Sequence, residues 1–166
     1  MVAKQTRSSG TPATAALTKA GVEFTLHPYT HVDGQRHFGD EATEALGLDP
    51  ERVFKTLVVE LAGRGGTLAV AVVPVARQLD LKAFAEALGV KKAAMADAAA
   101  AQRSSGYVLG GISPLGQRTA LSTVVDETLR SFPTVFVSAG RRGLQVELSP
   151  TDLISATGAQ VAVIGH

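Results

Sequence analysis

Two runs of β-branched and apolar residues stand almost back to back in this chain, at 53–62 and 67–73, with only Gly63-Arg64-Gly65-Gly66 between them. Each run is strand-length and too short for an independent helix. A four-residue, glycine-rich connection makes an antiparallel hairpin the natural join. Runs this apolar belong in a hydrophobic core. The rest of the chain has the means: 166 residues, 45% of them hydrophobic and 19% charged, enough for one domain with a full core.

The covering elements read as a mixture. Thr11-Pro12 followed by Ala and Leu and closed by Gly21 predicts a helix over 12–20. Alternation of Val22, Phe24 and Leu26 with polar residues predicts a strand over 22–27. Residues 28–37 read as a polar loop and 40–46 as a short helix stopped by Gly47. Asp80 and Asp97 cap helices over 80–88 and 98–103, and Ser149-Pro150 opens a last one ending at Gly158. Further strands are expected at 107–109, 134–138, 144–148 and 160–164. Strand pairs interspersed with single helices, rather than strict βα alternation, predict an α+β fold with a mixed sheet. Residues 1–10 are polar and read as a flexible N-terminal arm, leaving 11–166 as the domain.

Several functions are excluded early. There is no cysteine, hence no disulfide, thiolate nucleophile or Cys-ligated metal. Pro28 keeps His27 and His31 off a common helix face, which removes a metalloprotease-type pair. The start lacks an apolar signal segment, and the longest uncharged apolar stretch, 65–76, is too short for a membrane helix and contains Pro74. A soluble cytoplasmic protein is expected. The net charge of +1 gives no general attraction to nucleic acid. Six positive against three negative side chains between Arg77 and Arg118 give a weak local hint of an anionic partner. Asp40-Glu41 and Asp126-Glu127 are expected at helix starts or surface turns.

Three features carry potential chemistry. In the strand from Val53, alternate residues share a face, and Lys55 is the single charge among Val53, Leu57, Val59 and Leu61. Such a lysine either snorkels past the sheet end or lines a pocket, where a carbonyl or phosphate would be its natural partner. Position alone favours snorkelling. The second feature is Gly110-Gly111-Ile112-Ser113-Pro114-Leu115-Gly116. It is neither a Walker loop nor a nucleophile elbow. It reads as a shaped turn, with a ligand cradle built from its backbone amides as the alternative. The third, Arg141-Arg142 between Gly140 and Gly143, is either a solvated hairpin tip or a phosphate-contacting turn.

Taken in order, Val53-Phe54-Lys55-Thr56-Leu57, Ala69-Val70-Ala71-Val72-Val73-Pro74, Gln78-Leu79-Asp80-Leu81-Lys82, Gly106-Tyr107, the 110–116 loop, Val137-Ser138-Ala139-Gly140 and Arg142-Gly143-Leu144 closely resemble the YbaK/EbsC family. The resemblance runs from about Thr11 to the C-terminus. It implies a trans-acting aminoacyl-tRNA deacylase clearing Cys-tRNA(Pro), and Cys-tRNA(Cys) as a further candidate. It implies a curved, mixed, largely antiparallel sheet with surrounding helices and a pocket at one end. It implies a catalytic Lys55 and substrate contacts at Tyr29, Phe38, Thr56, Gly110, Gly111, Ser113 and Ser138, with no metal or cofactor. The implied partner is the 3′ aminoacyl-adenosine end of tRNA, with prolyl-tRNA synthetase as a candidate second partner and no membrane. The chain departs from the pattern at Gln145, where many relatives have Asp.

The residues themselves suggest no protein nucleophile or general base. This suits the chemistry implied for the cysteine-clearing branch, in which the substrate thiol attacks its own ester and leaves as a thiolactone. Two alternatives stand beside it: hydrolysis of another mischarged tRNA such as Ala-tRNA(Pro), and a non-catalytic domain binding a nucleotide or aminoacyl-adenylate.

Overall fold

The computed structural model describes residues 10–62 and 67–166. The arm (Gly10 apart) and the glycine turn at 63–66 lie outside the described residues. The two strands flanking that turn, β2 (Phe54–Leu61) and β3 (Thr67–Pro74), pair antiparallel in unbroken register from Phe54 opposite Pro74 to Leu61 opposite Thr67.

This pair is the centre of a five-stranded mixed sheet. β4 (Ala93–Met95) joins the free side of β2 antiparallel. β5 (Thr123–Asp126) runs parallel to β3, and β8 (Gln160–Ala162) parallel to β5, giving the order β4-β2-β3-β5-β8. A second, antiparallel sheet has the order β1-β7-β6, from β1 (Thr25–Pro28), β7 (Leu144–Leu148) and β6 (Val135–Arg141). The two meet at a parallel bridge between Val53 and Phe136. The sheet expected from sequence is thus divided into two hydrogen-bonded pieces within one α+β domain.

The helices are capped as their sequences predict. In α1 (Pro12–Ala20), Thr11 and Thr14 cap each other reciprocally, and Gly21 stops the helix at φ +71°. Asp80 accepts from the Ala83 amide at the start of α3 (Leu81–Ala87), Asp97 from Ala100 in α4 (Ala98–Ser105), and Ser149 from Asp152 in α5 (Pro150–Thr157). Each such cap stabilises by about 1 kcal/mol. The helix expected at 40–46 starts earlier, so that α2 is Phe38–Leu46; its N-cap, His37, makes no side-chain capping bond. No helix among the described residues is long and apolar enough to cross a membrane.

Burial on both faces of the central sheet explains the near-continuous apolar run of β3. Val70 and Val72 join a core with α1, α5 and the second sheet, including Leu17, Leu153, Val137 and Val146. Ala69, Ala71 and Val73 join a core on the other face with Phe84 of α3 and Ile164. β2 obeys the same alternation, with Phe54 in the first core and Val59 and Leu61 in the second.

One local expectation is corrected, and one is met with a difference in burial. Residues 107–109 form a turn, not a strand. Tyr107 is buried instead as an anchor, donating its hydroxyl to the Leu115 carbonyl at 2.5 Å. Asp126 stands at a helix start, one of the two places expected for it, but is 1% exposed at the end of β5. Its carboxylate accepts from the Ile164 and Gly165 amides at 2.9 and 2.8 Å and from the Thr128 hydroxyl at 2.6 Å. It also caps a 3-10 turn at Glu127–Ser131.

Burial alone would push the Asp126 pKa up, but the bonds from Thr128, Ile164 and Gly165 outweigh it and hold the pKa below the usual carboxylate value. A folded-state pKa below the unfolded one stabilises the protein above the unfolded value and ceases to do so as pH falls through the folded one. Asp126→Ala is therefore expected to cost about 2–3 kcal/mol at neutral pH. The wild-type advantage should shrink below about pH 4. Urea denaturation of both proteins across pH measures it; an equal gap at pH 7 and pH 2.5 contradicts the assignment.

Candidate active site

A cavity of about 370 Å³ opens where β2 begins, beside the junction of the two sheets. Its floor is Val53, Phe54, Lys55, Thr56 and Leu57. Successive strand residues point to opposite faces; β4 pairs with β2 only from Val59 onward, and along the edge it leaves uncovered both Lys55 and Thr56 line the cavity. Ser138 of β6 and Gln145 of β7 form one wall; these two stand opposite each other in the register. Leu109, Gly110 and Ile112 form another, and residues 36–40 with Val75 close the rim.

Lys55 lines this cavity rather than extending freely past the sheet end. It is half-buried. Burial lowers its pKa from the ordinary lysine value, and the nearby Asp40 carboxylate opposes that shift. The residue on the apolar face is thus a cation with incomplete solvation, facing a largely apolar space.

The glycine loop is shaped by the protein's own packing. Gly110 has φ +83°, and a Cβ there would stand 2.5 Å from the Phe38 ring. A Cβ on Gly111 would meet the Arg141 backbone at 2.7 Å. What these glycines admit so closely is the Phe38 ring and the β6–β7 turn. Arg142, expected as a solvated or phosphate-facing charge, donates Nε to the Leu109 carbonyl at 2.7 Å and lays its guanidinium 5.1 Å from the Phe38 ring centre. It straps the glycine loop to the start of α2.

The sequence-derived residues divide accordingly. Phe38, Lys55, Thr56, Gly110 and Ser138 line the cavity; Tyr29, Gly111 and Ser113 stand outside its lining. Gly111 is one layer behind, against Arg141. Ser113 is fully buried and accepts from the Leu115 amide at 3.2 Å, which shapes the loop. Tyr29 is tied by its backbone, its amide donating to the Gly143 carbonyl at 2.9 Å. Burial, the largest influence, raises its pKa.

Arg36, His37 and Asp40 belong to the rim, although 28–37 read only as a polar loop and Asp40 only as a helix start. Nothing in their spacing signals this. They reach the cavity because α2 is seated: Gly39 brings its backbone so near Val75 that a Cβ would lie 2.8 Å from that side chain. The preceding loop is tied down too. Glu41, nearly buried, accepts from the Val32 amide at 2.8 Å and pairs with His31 Nδ1 at 2.7 Å. Burial pushes its pKa up, but these two partners outweigh it and leave it lowered.

Gly110 and Gly47 give a direct contrast, since both have positive φ but a Cβ on Gly47 would meet open space. Gly47→Ala is expected to cost about 1–2 kcal/mol from the left-handed backbone alone. Gly110→Ala adds the collision with Phe38 and should cost more. Denaturation of the two variants checks this, and a milder Gly110→Ala would contradict the packing described.

Comparison with known proteins bears on this cavity. A model of the aminoacyl-tRNA editing domain family matches residues 36–156, which include its rim, floor and walls. EbsC of Enterococcus faecalis, whose name provisionally makes it a Cys-tRNA(Pro)/Cys-tRNA(Cys) deacylase, is 38% identical over 125 residues, 75% of each chain. YwhH of Bacillus subtilis is 28% identical over 114 residues, 69% of this chain and 71% of that protein. A crystal structure described provisionally as a trans-editing enzyme for prolyl tRNA synthetase is similar with a TM-score of 0.81 at 25% identity, covering 93% of this chain and 95% of its own. With the family match spanning most of the chain and every wall of the cavity, the protein belongs to the aminoacyl-tRNA editing domain family.

Proposed function

We propose that the protein is an aminoacyl-tRNA deacylase that acts in trans and clears cysteine mischarged onto tRNA(Pro), with the ester's own thiol as nucleophile. The observation that carries this reading is Lys55: a partly desolvated ammonium at the floor of a small, mostly apolar cavity. An apolar surround strengthens the pull of such a cation on a carbonyl oxygen. The family membership and the name of the EbsC relative support the substrate class.

In the proposed reaction, the 3′ aminoacyl-adenosine enters the cavity and its ester carbonyl lies against the Lys55 ammonium. The substrate thiol attacks the carbonyl carbon. A carbon–sulfur bond forms, the carbon–oxygen ester bond breaks, and the thiol proton ends on the departing 3′ oxygen. The products are tRNA and the cyclic thiolactone. Bending the substrate is then the protein's main task. Alignment alone contributes about 7–11 kcal/mol in favourable intramolecular cases. Phe38, fixed between Gly110 and Arg142, supplies a rigid side for that bend. Tyr29, Gly111 and Ser113 act from behind the lining. Prolyl-tRNA synthetase is the proposed source of the mischarged tRNA, and the cytoplasm the site of action.

Lys55→Ala is expected to lower kcat/KM about 100- to 1,000-fold, the range seen on removing one preorganised donor. Stability should change by under about 1 kcal/mol, because the side chain lines a cavity instead of filling the core. Deacylation kinetics and a melt on the same preparation test both. Undiminished turnover by the folded variant refutes the role.

The thiol mechanism is tested with Cys-, Ser- and Ala-charged tRNA(Pro). Ser differs from Cys by one atom, but a hydroxyl ionises far less readily than a thiol of pKa about 8.5. Cys-tRNA should be cleared and the other two left nearly intact. Similar clearance of all three, with free amino acid as the first product, would establish hydrolysis instead.

A further inference from the structure

Two buried polar atoms among the cavity-lining residues have no hydrogen-bond partner among the described residues: Thr56 Oγ1 and Gln145 Oε1. Buried polar groups are nearly always paired, so an orphan at a cavity wall marks where a ligand brings the missing partner. Gln145 is only 7% exposed. It is held on both sides in the second sheet, opposite His27 of β1 and Ser138 of β6. Its carbonyl oxygen is the end left without a partner. That oxygen accepts only, so what it lacks is an N–H or O–H donor.

We propose that Gln145 is a specificity-determining residue whose Oε1, together with Thr56 Oγ1, binds the free α-amino group of the aminoacyl substrate. The inference rests on the deacylase reading above. An aminoacyl ester of cysteine presents three donors near its carbonyl: the α-amino group, the thiol and the ribose 2′-hydroxyl. The thiol is a weak donor and in the proposed reaction is occupied at the carbonyl. The hydroxyl has a single hydrogen to donate. The amine has at least two, and so can satisfy both orphan oxygens at once. Charge points the same way. Lys55 is already in the cavity, and a second full positive charge beside it is disfavoured. A free α-amino group has a pKa of about 7.7–8.0, so it binds as the neutral amine at little cost near neutral pH. A neutral amide acceptor suits a neutral amine.

The test compares two esters on the same tRNA: cysteinyl, and 3-mercaptopropionyl, which keeps the thiol and lacks the α-amino group. Wild-type protein should prefer the cysteinyl ester about 10- to 100-fold in kcat/KM, since the analogue leaves the oxygens unpaired. Gln145→Leu should bring the preference below about 3-fold, mainly by slowing the cysteinyl ester, as the lost contact implies. Gln145→Met serves as a second variant should Leu disturb packing. A preference retained in the folded variants, or both esters slowed alike, overturns the inference; so does a wild type with no preference. If wild-type protein cleaves neither ester, the deacylase reading itself falls. Binding of the non-cleavable cysteinylamido- and 3-mercaptopropionylamido-3′-deoxyadenosines then decides the inference alone: equal Kd values overturn it, and a Gln145-dependent preference for the amine upholds it.

Discussion

The position of Lys55 depends on how the two sheets are joined just before it, at Arg52 and Val53. Val53 bridges to Phe136, and the Arg52 carbonyl accepts from the Phe136 amide at 3.1 Å. The Arg52 side chain secures the same joint. Its Nε donates to the Thr134 carbonyl at 2.7 Å, its Nη2 reaches the Thr134 hydroxyl, and Glu147 Oε2 lies 3.4 Å away. His27 pairs with the other Glu147 oxygen at 2.8 Å, and both Arg52 and His27 pack against the Phe136 ring. One exposed ion pair would contribute little. A network spanning β1, β6, β7 and the start of β2 holds an angle between sheets. That angle brings the Phe54–Thr56 segment against Ser138 and Gln145.

From this joint follows the division of labour around the cavity. Core strands supply its floor and one wall, the floor from a central sheet buried on both faces and the wall from the second sheet. The opposite side is made of irregular backbone, where glycine is needed to let elements approach. Gly110 against Phe38 and Gly39 against Val75 are such approaches, and Arg142 ties them together. A site built this way can hold a small substrate in a bent geometry without a protein nucleophile. Rigid placement is its main resource.

Most of the fold was legible because its signals are local. Capping by Thr11, Asp80, Asp97 and Ser149, the glycine stops, and the paired apolar runs of β2 and β3 are each decided within a few residues. β4 and β5, three and four residues long, are strands the sequence reading does not contain. Tyr107 misled in the opposite sense. Its strand-like neighbours form a turn, and its burial comes from a hydroxyl bond to Leu115. Asp126 opens a 3-10 turn, as expected of an acid at a helix start; its burial, which charge seldom tolerates, rests on four converging donor contacts.

For the site, alternation along β2 was enough to single out Lys55 as a charge on an apolar face, and the glycine cluster at 110–116 as a shaped loop. Both conclusions need only neighbouring residues. Whether Lys55 snorkels or faces a cavity was not decidable from them, because the answer lies in what stands across from it. Ser138, Gln145, Arg36 and Asp40 are distant in sequence and meet Lys55 only through strand register and the seating of α2. The solvation of the Lys55 ammonium and the orphaned Gln145 oxygen have the same origin. Backbone preference and hydrophobic period act over a few residues and are written along the chain. Burial, field and hydrogen-bond satisfaction arise between residues the chain brings together from afar, and the tertiary structure alone decides them.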